Sequence, residues 1–406
     1  MAIAPDGQCA VRVQLTDTMT SDRTFTALTA GRYRTLSCTP ARRCLYATAS
    51  PSMQFGFTLS KGHHEPIASS DTLPVLIIGR EAKETLHRLF LDEPTVFFGD
   101  AKPLLPYIAR QKDTILFELN DERPIAFNPF KNSESDADTA SYILEAFKTT
   151  WDYGTPTPQF DMYMLTACLA LLNTDAPALF QLPYLFTSET FRQSVISKLN
   201  DPVLKRQWEH YDALLPKEQN DRALSILNRM IPLITDPLIR SVIAQIRTLQ
   251  LTPESILIVD MPDTERASLL ASLVLSRLKG RVYIERPLVH LGASTPVIAV
   301  EYLDQLPEAL KQKMLTGIIM SFRLGVKDAK ELEPYFNLNE GDFKLIELTP
   351  GRAHVRMERT HTVETYPHKY RAKPSNETRI RNRSRSQHGT PQKVIDEHLK
   401  RFLDGA

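Results

Sequence analysis

With 406 residues, 42% of them hydrophobic, 24% charged and a net charge of +1, the chain has the length for two or three domains and the apolar content for a sizeable core. Those values exclude a peptide-scale scaffold, a disordered polyelectrolyte and a particle coated over its whole surface by a polyanion, so charge has to be read locally. Four cysteines, Cys9, Cys38, Cys44 and Cys168, are too sparse for a disulfide framework, none forms a C-x-x-C pair, and a reducing cytoplasm is expected. No apolar run reaches the roughly 18 residues of a membrane span, and the start, MAIAPDGQ, has neither the basic segment nor the apolar core of an export signal.

In chain order, residues 1–70 alternate apolar with polar or β-branched residues, as in Met53-Gln54-Phe55-Gly56-Phe57-Thr58-Leu59, and read as a small β-rich N-terminal region. Residues 71–131 then switch to strands built as continuous apolar runs separated by helical stretches. Val75 to Ile78 is a strand, Gly79 ends it, and a helix starts near Ala82. Thr95 to Phe98 is a second strand, Leu104 to Ala109 a helix, and Thr114 to Leu119 a third strand. Such runs imply a mainly parallel sheet covered on both faces.

From 132 to 250 the apolar period becomes helical, with Ile143, Phe147, Leu165, Leu169, Leu172, Phe191, Val195 and Leu199 at three- and four-residue intervals. Gly154 is the only glycine between Thr139 and Ile246. This predicts an all-α block with starts at Thr187 or Ser188, Asp201-Pro202 and Asp236-Pro237. Trp151 and Trp208 read as its core aromatics. Strand and helix alternation resumes over 251–366, at Ser255 to Asp260, Arg281 to Ile284, Pro296 to Val300 and Gly317 to Phe322, so the helical block reads as an insertion into one α/β domain. Within the end, 367–406, the stretch Lys369 to His388 carries Lys369, Arg371, Lys373, Arg379, Arg381, Arg383 and Arg385 against the single acid Glu377, and an amphipathic helix with Ile395, Leu399 and Phe402 follows. It is either a solvated connector or a sequence-nonspecific contact for nucleic acid whose strength falls with salt.

Strand, turn and helix over Leu73 to Leu86 form the setting in which a phosphate loop works, because backbone N–H groups and a helix N-terminus converge on the anion while a lysine reaches the outer phosphates. The loop chemistry needs G-x-x-x-x-G-K-[ST]. This chain offers Gly79, Lys83 and Thr85, with no second glycine, a short spacing, and Glu81 and Glu84 where phosphate charge would sit.

The order of elements resembles the type IV secretion coupling proteins, the conjugative DNA-transfer ATPases of the HerA/FtsK-like P-loop NTPases. The residues that carry the likeness are Arg123-Pro124-Ile125-Ala126-Phe127-Asn128-Pro129, Leu144 to Lys148 with Trp151, and Asp201-Pro202-Val203 with Trp208. Further on they are Leu303-Asp304-Gln305-Leu306-Pro307, Ser321-Phe322-Arg323-Leu324-Gly325 with Asp328-Ala329, and Ser384 to Pro391. The resemblance implies a RecA-like core, an all-α insertion, ATP and Mg²⁺ in active members, and hexameric rings with nucleotide at the subunit boundaries. Departures fall where the chemistry should be. Glu285 ends the strand in which a metal-binding acid is expected, but Arg286 replaces the catalytic acid, and arginine is no base. Glu301 replaces the glutamine that senses the γ-phosphate. Arg323 stands where an arginine could be lent across a subunit boundary, or is a surface residue.

Loss of one electrostatic stabiliser costs about 2.7–4 kcal/mol of barrier. The expectation is therefore a pseudo-ATPase with no cofactor, acting as scaffold or adaptor beside an active ATPase paralogue or a secretion-apparatus protein. Two alternatives stay open: an active NTPase motor using Lys83, Thr85 and Glu285 with ATP and Mg²⁺, and a nucleic-acid-binding protein acting through its tail. The oligomeric state is open as well.

Overall fold

A computed structural model describes residues 2–3, 10–11, 24–29, 32–37, 53–60, 63–69, 73–110, 112–131, 135–151, 157–252, 254–278, 280–286, 294–337, 344–366 and 370–405. Lys369, Cys9, Cys38, Cys44 and Gly154 lie outside them. The chain divides into two compact units, Met1–Asp71 and Thr72–Ala406. In the first, every described element is a strand, and the strands pair antiparallel: β1 (Ala2–Ile3) with β2 (Ala10–Val11), β3 (Thr24–Thr29) with β4 (Arg32–Ser37), and β5 (Met53–Ser60) with β6 (His63–Ser69), with an irregularity in register between Gln54 and Gly56.

The second unit is α/β. Its sheet strands are β7 (Val75–Ile78), β8 (Val96–Phe98), β9 (Thr114–Glu118), β10 (Ile256–Asp260), β11 (Gly280–Ile284), β12 (Ser294–Val300), β13 (Ile318–Ser321), β14 (Arg352–Arg356) and β15 (Thr360–Glu364), in the order β15-β14-β13-β7-β12-β11-β8-β10-β9. From β13 to β9 all neighbours are parallel. Helices on the two faces explain why Val75–Ile78 and Ile256–Val259 are buried at every position. The hairpin β14 and β15 is antiparallel, and the apolar-run criterion missed it. Ala353, Val355 and Val363 are its buried apolar residues, between Arg352, His354, Arg356 and Thr362. The helix expected over Leu104 to Ala109 is only a single 3-10 turn, Leu105–Tyr107. Pro106 has no N–H to give, and Ile108 is already extended, at φ −66° and ψ 117°.

Helix α1 (Ala82–Asp92) follows β7. Between β9 and β10 the chain runs through α2 (Asp136–Thr150), α3 (Pro158–Leu172), α4 (Leu182–Thr187), α5 (Glu189–Ile196), α6 (Pro202–Asp212), α7 (Pro216–Thr235) and α8 (Pro237–Ile243). Proline at the first position preorganises four of these, and Asp201 and Asp236 accept the orphan N–H groups of Val203 and Leu238. Trp208 is buried, its ring 5.5 Å from Phe186 and 5.6 Å from Tyr211. The block joins the sheet unit where α2 packs on α9 (Glu265–Leu275). The remaining helices are α10 (Glu308–Leu315), α11 (Val326–Leu332), α12 (Ser375–Gln387) and α13 (Gln392–Gly405). None of the described helices is long and apolar enough to cross a membrane.

The last helix docks on the helical block. The Phe402 ring lies 4.8 Å from Phe180, 5.1 Å from Phe191 and 5.2 Å from Tyr184 in edge-on packing. We expect Phe402→Ala to cost about 2 kcal/mol, less than a fully buried phenylalanine because the ring is half-exposed. Hydrogen exchange should speed up over 392–405 before any other helix opens; uniform loss of protection would mean that α13 is not a separable dock.

Candidate functional site

Parallel register brings the carboxyl ends of β7, β12, β11 and β8 to one edge of the sheet. Ile78 stands beside both Val300 and Ser321, and Ile284 beside both Ile298 and Phe98. Gly79, Glu285, Glu301 and Arg323, chosen from four separate stretches of sequence, therefore do converge on one rim. What they do there differs from what their positions suggest.

Gly79 is held at φ 109°, in the region that favours glycine, and a Cβ there would lie 3.0 Å from both the carbonyl oxygen of Arg323 and the Cβ of Phe322. Close approach to the end of β13 accounts for this glycine without any ligand. The turn from β7 to α1 comprises only Gly79, Arg80 and Glu81. Within it the Gly79 N–H donates to the Val300 carbonyl (3.1 Å) and the Ala82 N–H to the Gly79 carbonyl (3.0 Å). The Glu81 carboxylate accepts from the Gly351 N–H at 3.0 Å, which pins the turn to the start of β14. Thr85, expected near Mg²⁺, is buried inside α1 with its N–H on the Glu81 carbonyl (3.0 Å).

Lys83 and Glu285 form an ion pair across the rim. Glu285 is the buried partner, with 10% of its side chain exposed against 52% for Lys83. Its second oxygen accepts from the Asp100 N–H (3.2 Å) and faces Nε2 of His87 (3.3 Å). Burial pushes the Glu285 carboxyl up, but the hydrogen bonds from His87 and Lys83 outweigh it and hold the group below its ordinary value. Lys83 and His87 reach the same acid because they are four residues apart on one face of α1. Gly99 makes room for it: a Cβ there would meet the Glu285 Cβ at 2.6 Å and its Oε2 at 2.7 Å.

Arg286 turns to the carbonyl of Met261 at the end of β10. The cavity it lines with Phe98, Gly99 and Asp263 measures about 30 Å³, room for a water and not for a nucleotide. Beside it lies an acid that the sequence reading passed over. Asp260 ends the apolar run of β10, accepts the Ala101 N–H at 3.2 Å, and is pushed up by burial and by Asp100 and Glu118. Its sequence signal is an apolar run ending in an acid, the same pattern that marks Glu285. His87 had no sequence signal apart from its spacing to Lys83. Glu301 is exposed, takes the Tyr302 hydroxyl at 2.9 Å, and has its N–H on the Gln305 side chain (2.7 Å). Arg323 is exposed and has no side-chain partner among the described residues. No group of three or more His, Cys, Asp or Glu among the described residues is arranged to hold a metal.

The basic segment 369–388 is not a connector throughout: 375–387 is helix α12, lying along β9. Arg381 grips Glu118 through two hydrogen bonds (2.7 and 2.9 Å) and Glu377 through a third, and Arg385 grips Asp121 at 2.8 and 2.9 Å. Arg383 is half-buried with its Nε unpaired. Arg371, Lys373 and Arg379 are exposed.

Because the folded Glu285 carboxyl ionises more readily than an unfolded one, its stabilisation is complete above the ordinary glutamate range and is lost as pH falls through the lower, folded value. We expect Glu285→Gln to be less stable than the parent at about pH 7, and urea midpoints of the two to converge towards about pH 3. A constant gap across that interval would mean that the charge contributes nothing. Gly99→Ala should cost about 1–3 kcal/mol by overpacking against the same side chain.

The sequence matches no protein-family model and no curated protein. Among solved structures the chain is similar to a bacterial conjugative coupling protein, TrwB. Its unbound monoclinic form superposes with a TM-score of 0.54 at 13% identity, covering 82% of this chain and 92% of that one. Its complex with the non-hydrolysable GTP analogue GDPNP gives 0.52 at 14%, covering 88% and 97%. Its complex with ADP and Mg²⁺ gives 0.51 at 12%, covering 81% and 98%. The chain has the fold of the conjugative coupling protein TrwB.

Proposed function

We propose that this protein is a non-hydrolysing counterpart of the conjugative coupling ATPases, keeping the motor fold as a scaffold or adaptor in a DNA-transfer or DNA-processing assembly, and that it takes no nucleotide. The observation that carries the proposal is the Lys83–Glu285 ion pair. The one lysine placed to reach a phosphate is held by the one acid placed to reach a metal, so each occupies the other. A triphosphate entering the rim would meet Glu81 and Glu84 at the N-terminal turn of α1, in place of the anion-accepting N–H groups that such a turn supplies when it is empty of carboxylates. The short turn, closed by its own hydrogen bonds, wraps too little chain to surround a phosphate. TrwB is described with ADP and Mg²⁺; Thr85, Arg286 and Glu301 of this chain are turned to other uses. The counterpart of this reading is partnership with an active ATPase paralogue or a secretion-apparatus protein, towards which the exposed Arg323 would extend.

Nucleotide-dependent stabilisation tests the reading directly. A ligand at 100 times its dissociation constant adds about 2.7 kcal/mol, so with ATP, ADP or a non-hydrolysable analogue and Mg²⁺ we expect no change in thermal midpoint and no phosphate release above a Lys83→Ala control. A shift that Lys83→Ala abolishes would restore the enzyme.

A second reading, sequence-nonspecific contact with DNA, is favoured by the exposure of Arg371, Lys373 and Arg379. Each phosphate neutralised contributes about 0.9 to the logarithmic salt slope. Replacing these three residues by glutamate should lower that slope by about 2–3, whereas Arg381→Ala should act on stability. An unchanged slope in the triple variant removes the segment as the contact.

A further inference from the structure

A cavity of about 700 Å³ opens in the helical block between α3, α6 and α7, within the range of roughly 300–1,000 Å³ over which small-molecule sites fall. Helix α6 is divided along its length. Leu204, Trp208 and Tyr211 are buried, while Val203, Arg206 and His210, at intervals of three and four, turn a mixed apolar and cationic face to the cavity. Val203 is 67% exposed and Met162, opposite it on α3, 46% exposed. These are large apolar side chains left to solvent inside a concavity. On the α7 side Arg222 donates through one guanidinium nitrogen to the Tyr163 hydroxyl at 3.0 Å, which fixes its plane and leaves its other N–H groups for a second acceptor.

The charge on the walls is one-sided. Arg206 and Arg222 line the cavity and no carboxylate does, among the described residues. Two acids border an adjoining depression that shares Met162 and Arg222: Glu218, whose charge acts on Arg222 and whose Oε2 accepts the Leu215 N–H at 3.2 Å, and the exposed Asp221. At the other end Asp201 is committed to the N–H groups of Val203 and Leu204. An apolar hollow with two guanidinium groups at its rim and no acid within it is complementary to an apolar body carrying a single negative charge. A polyanion would leave most of its charge uncompensated among apolar side chains.

We propose that this cavity is a binding site for a small amphiphilic carboxylate, its apolar body lying against Met162, Val203 and Trp208 and its carboxylate on Arg206 and Arg222. The site is separate from the rim of Lys83 and Glu285 and uses residues that the nucleotide question does not touch. Trp208 in the wall supplies the signal.

The test is titration of the full chain, in a Trp151→Phe background, with dodecanoate below its micellar concentration, followed by Trp208 fluorescence and by calorimetry. We expect saturable binding to one site, at least tenfold weaker binding of dodecanol, at least tenfold loss with Arg206→Glu, and loss of binding when Met162→Trp fills the hollow. Met162 and Arg206 are exposed, so both variants should keep the parental thermal midpoint; the dodecanol comparison needs no variant at all. Equal binding of dodecanol, retention of dodecanoate binding by Met162→Trp, or the absence of saturation would each overturn the proposal.

Discussion

Glu285 is a carboxylate that the parallel register delivers to a crowded rim whether or not there is a metal for it. Strand β11 lies between β12 and β8, so the residue that follows it emerges at the centre of the sheet's carboxyl edge, next to Gly99 and over the first turns of α1. An acid nine-tenths buried there has to be compensated or it will take up a proton. The chain supplies three donors, the Lys83 ammonium, the His87 ring and the Asp100 N–H, from the helix before it and the loop beside it. The arrangement is self-contained. It ties the residue after β11 to the first two turns of α1 and to the loop after β8 in one internal network.

The same distinction runs through the motifs that carry the family likeness. The Arg123–Pro129 segment looks like a functional signature, but its Asn128 is fully buried and donates to the carbonyls of Pro177 and Ile246 while its own oxygen takes the Phe130 N–H. It fastens the exit from β9 to the α3–α4 connection and to the end of the helical block. Gly389, in the tail motif, forms an isolated bridge with Ile125, and a Cβ on it would come within 2.5 Å of the Arg123 carbonyl oxygen. Asp328 is buried and accepts from the Leu303 N–H at 3.4 Å, which joins the segment after β12 to α11. These residues are clips between distant pieces of chain, and the contacts they make account for them on geometric grounds.

This explains which parts of the molecule were legible from sequence. Strands buried on both faces announce themselves as apolar runs, and the sheet from β13 to β9 was read from them. Helices entered through Asp-Pro announce themselves by their caps. The hairpin β14 and β15 was not legible, because an edge hairpin with one buried face has too few apolar residues to stand out from a polar loop. At the rim, the residue types were readable and their partners were not. Lys83 and Glu285 are about two hundred residues apart, and only the register of β11 against β8, together with the two-turn reach of α1, brings them into contact. An absent glycine can be seen in a sequence; an ion pair that fills the resulting space cannot.

The arginine-rich end shows why a local charge count overstates the charge available to a partner. Arg379, Arg381, Arg383 and Arg385 are spaced by two, a pattern that on a strand would put every guanidinium on one face. In a helix the same spacing advances by about 200° per step, so alternate residues point to opposite sides. Arg381 and Arg385 fall on the side that meets Glu118 and Asp121 and are consumed in fixing α12 to the edge strand β9; Arg379 falls on the side that meets solvent. A run that reads as one basic surface is thus half an internal seam. Edge strands with unpaired backbone groups are prone to adventitious pairing, and covering β9 with a helix held by buried and half-buried ion pairs removes that hazard. Glu118 and Asp121 neutralise Arg381 and Arg385, and what remains for any outside polyanion is the smaller set that the helix leaves facing outward.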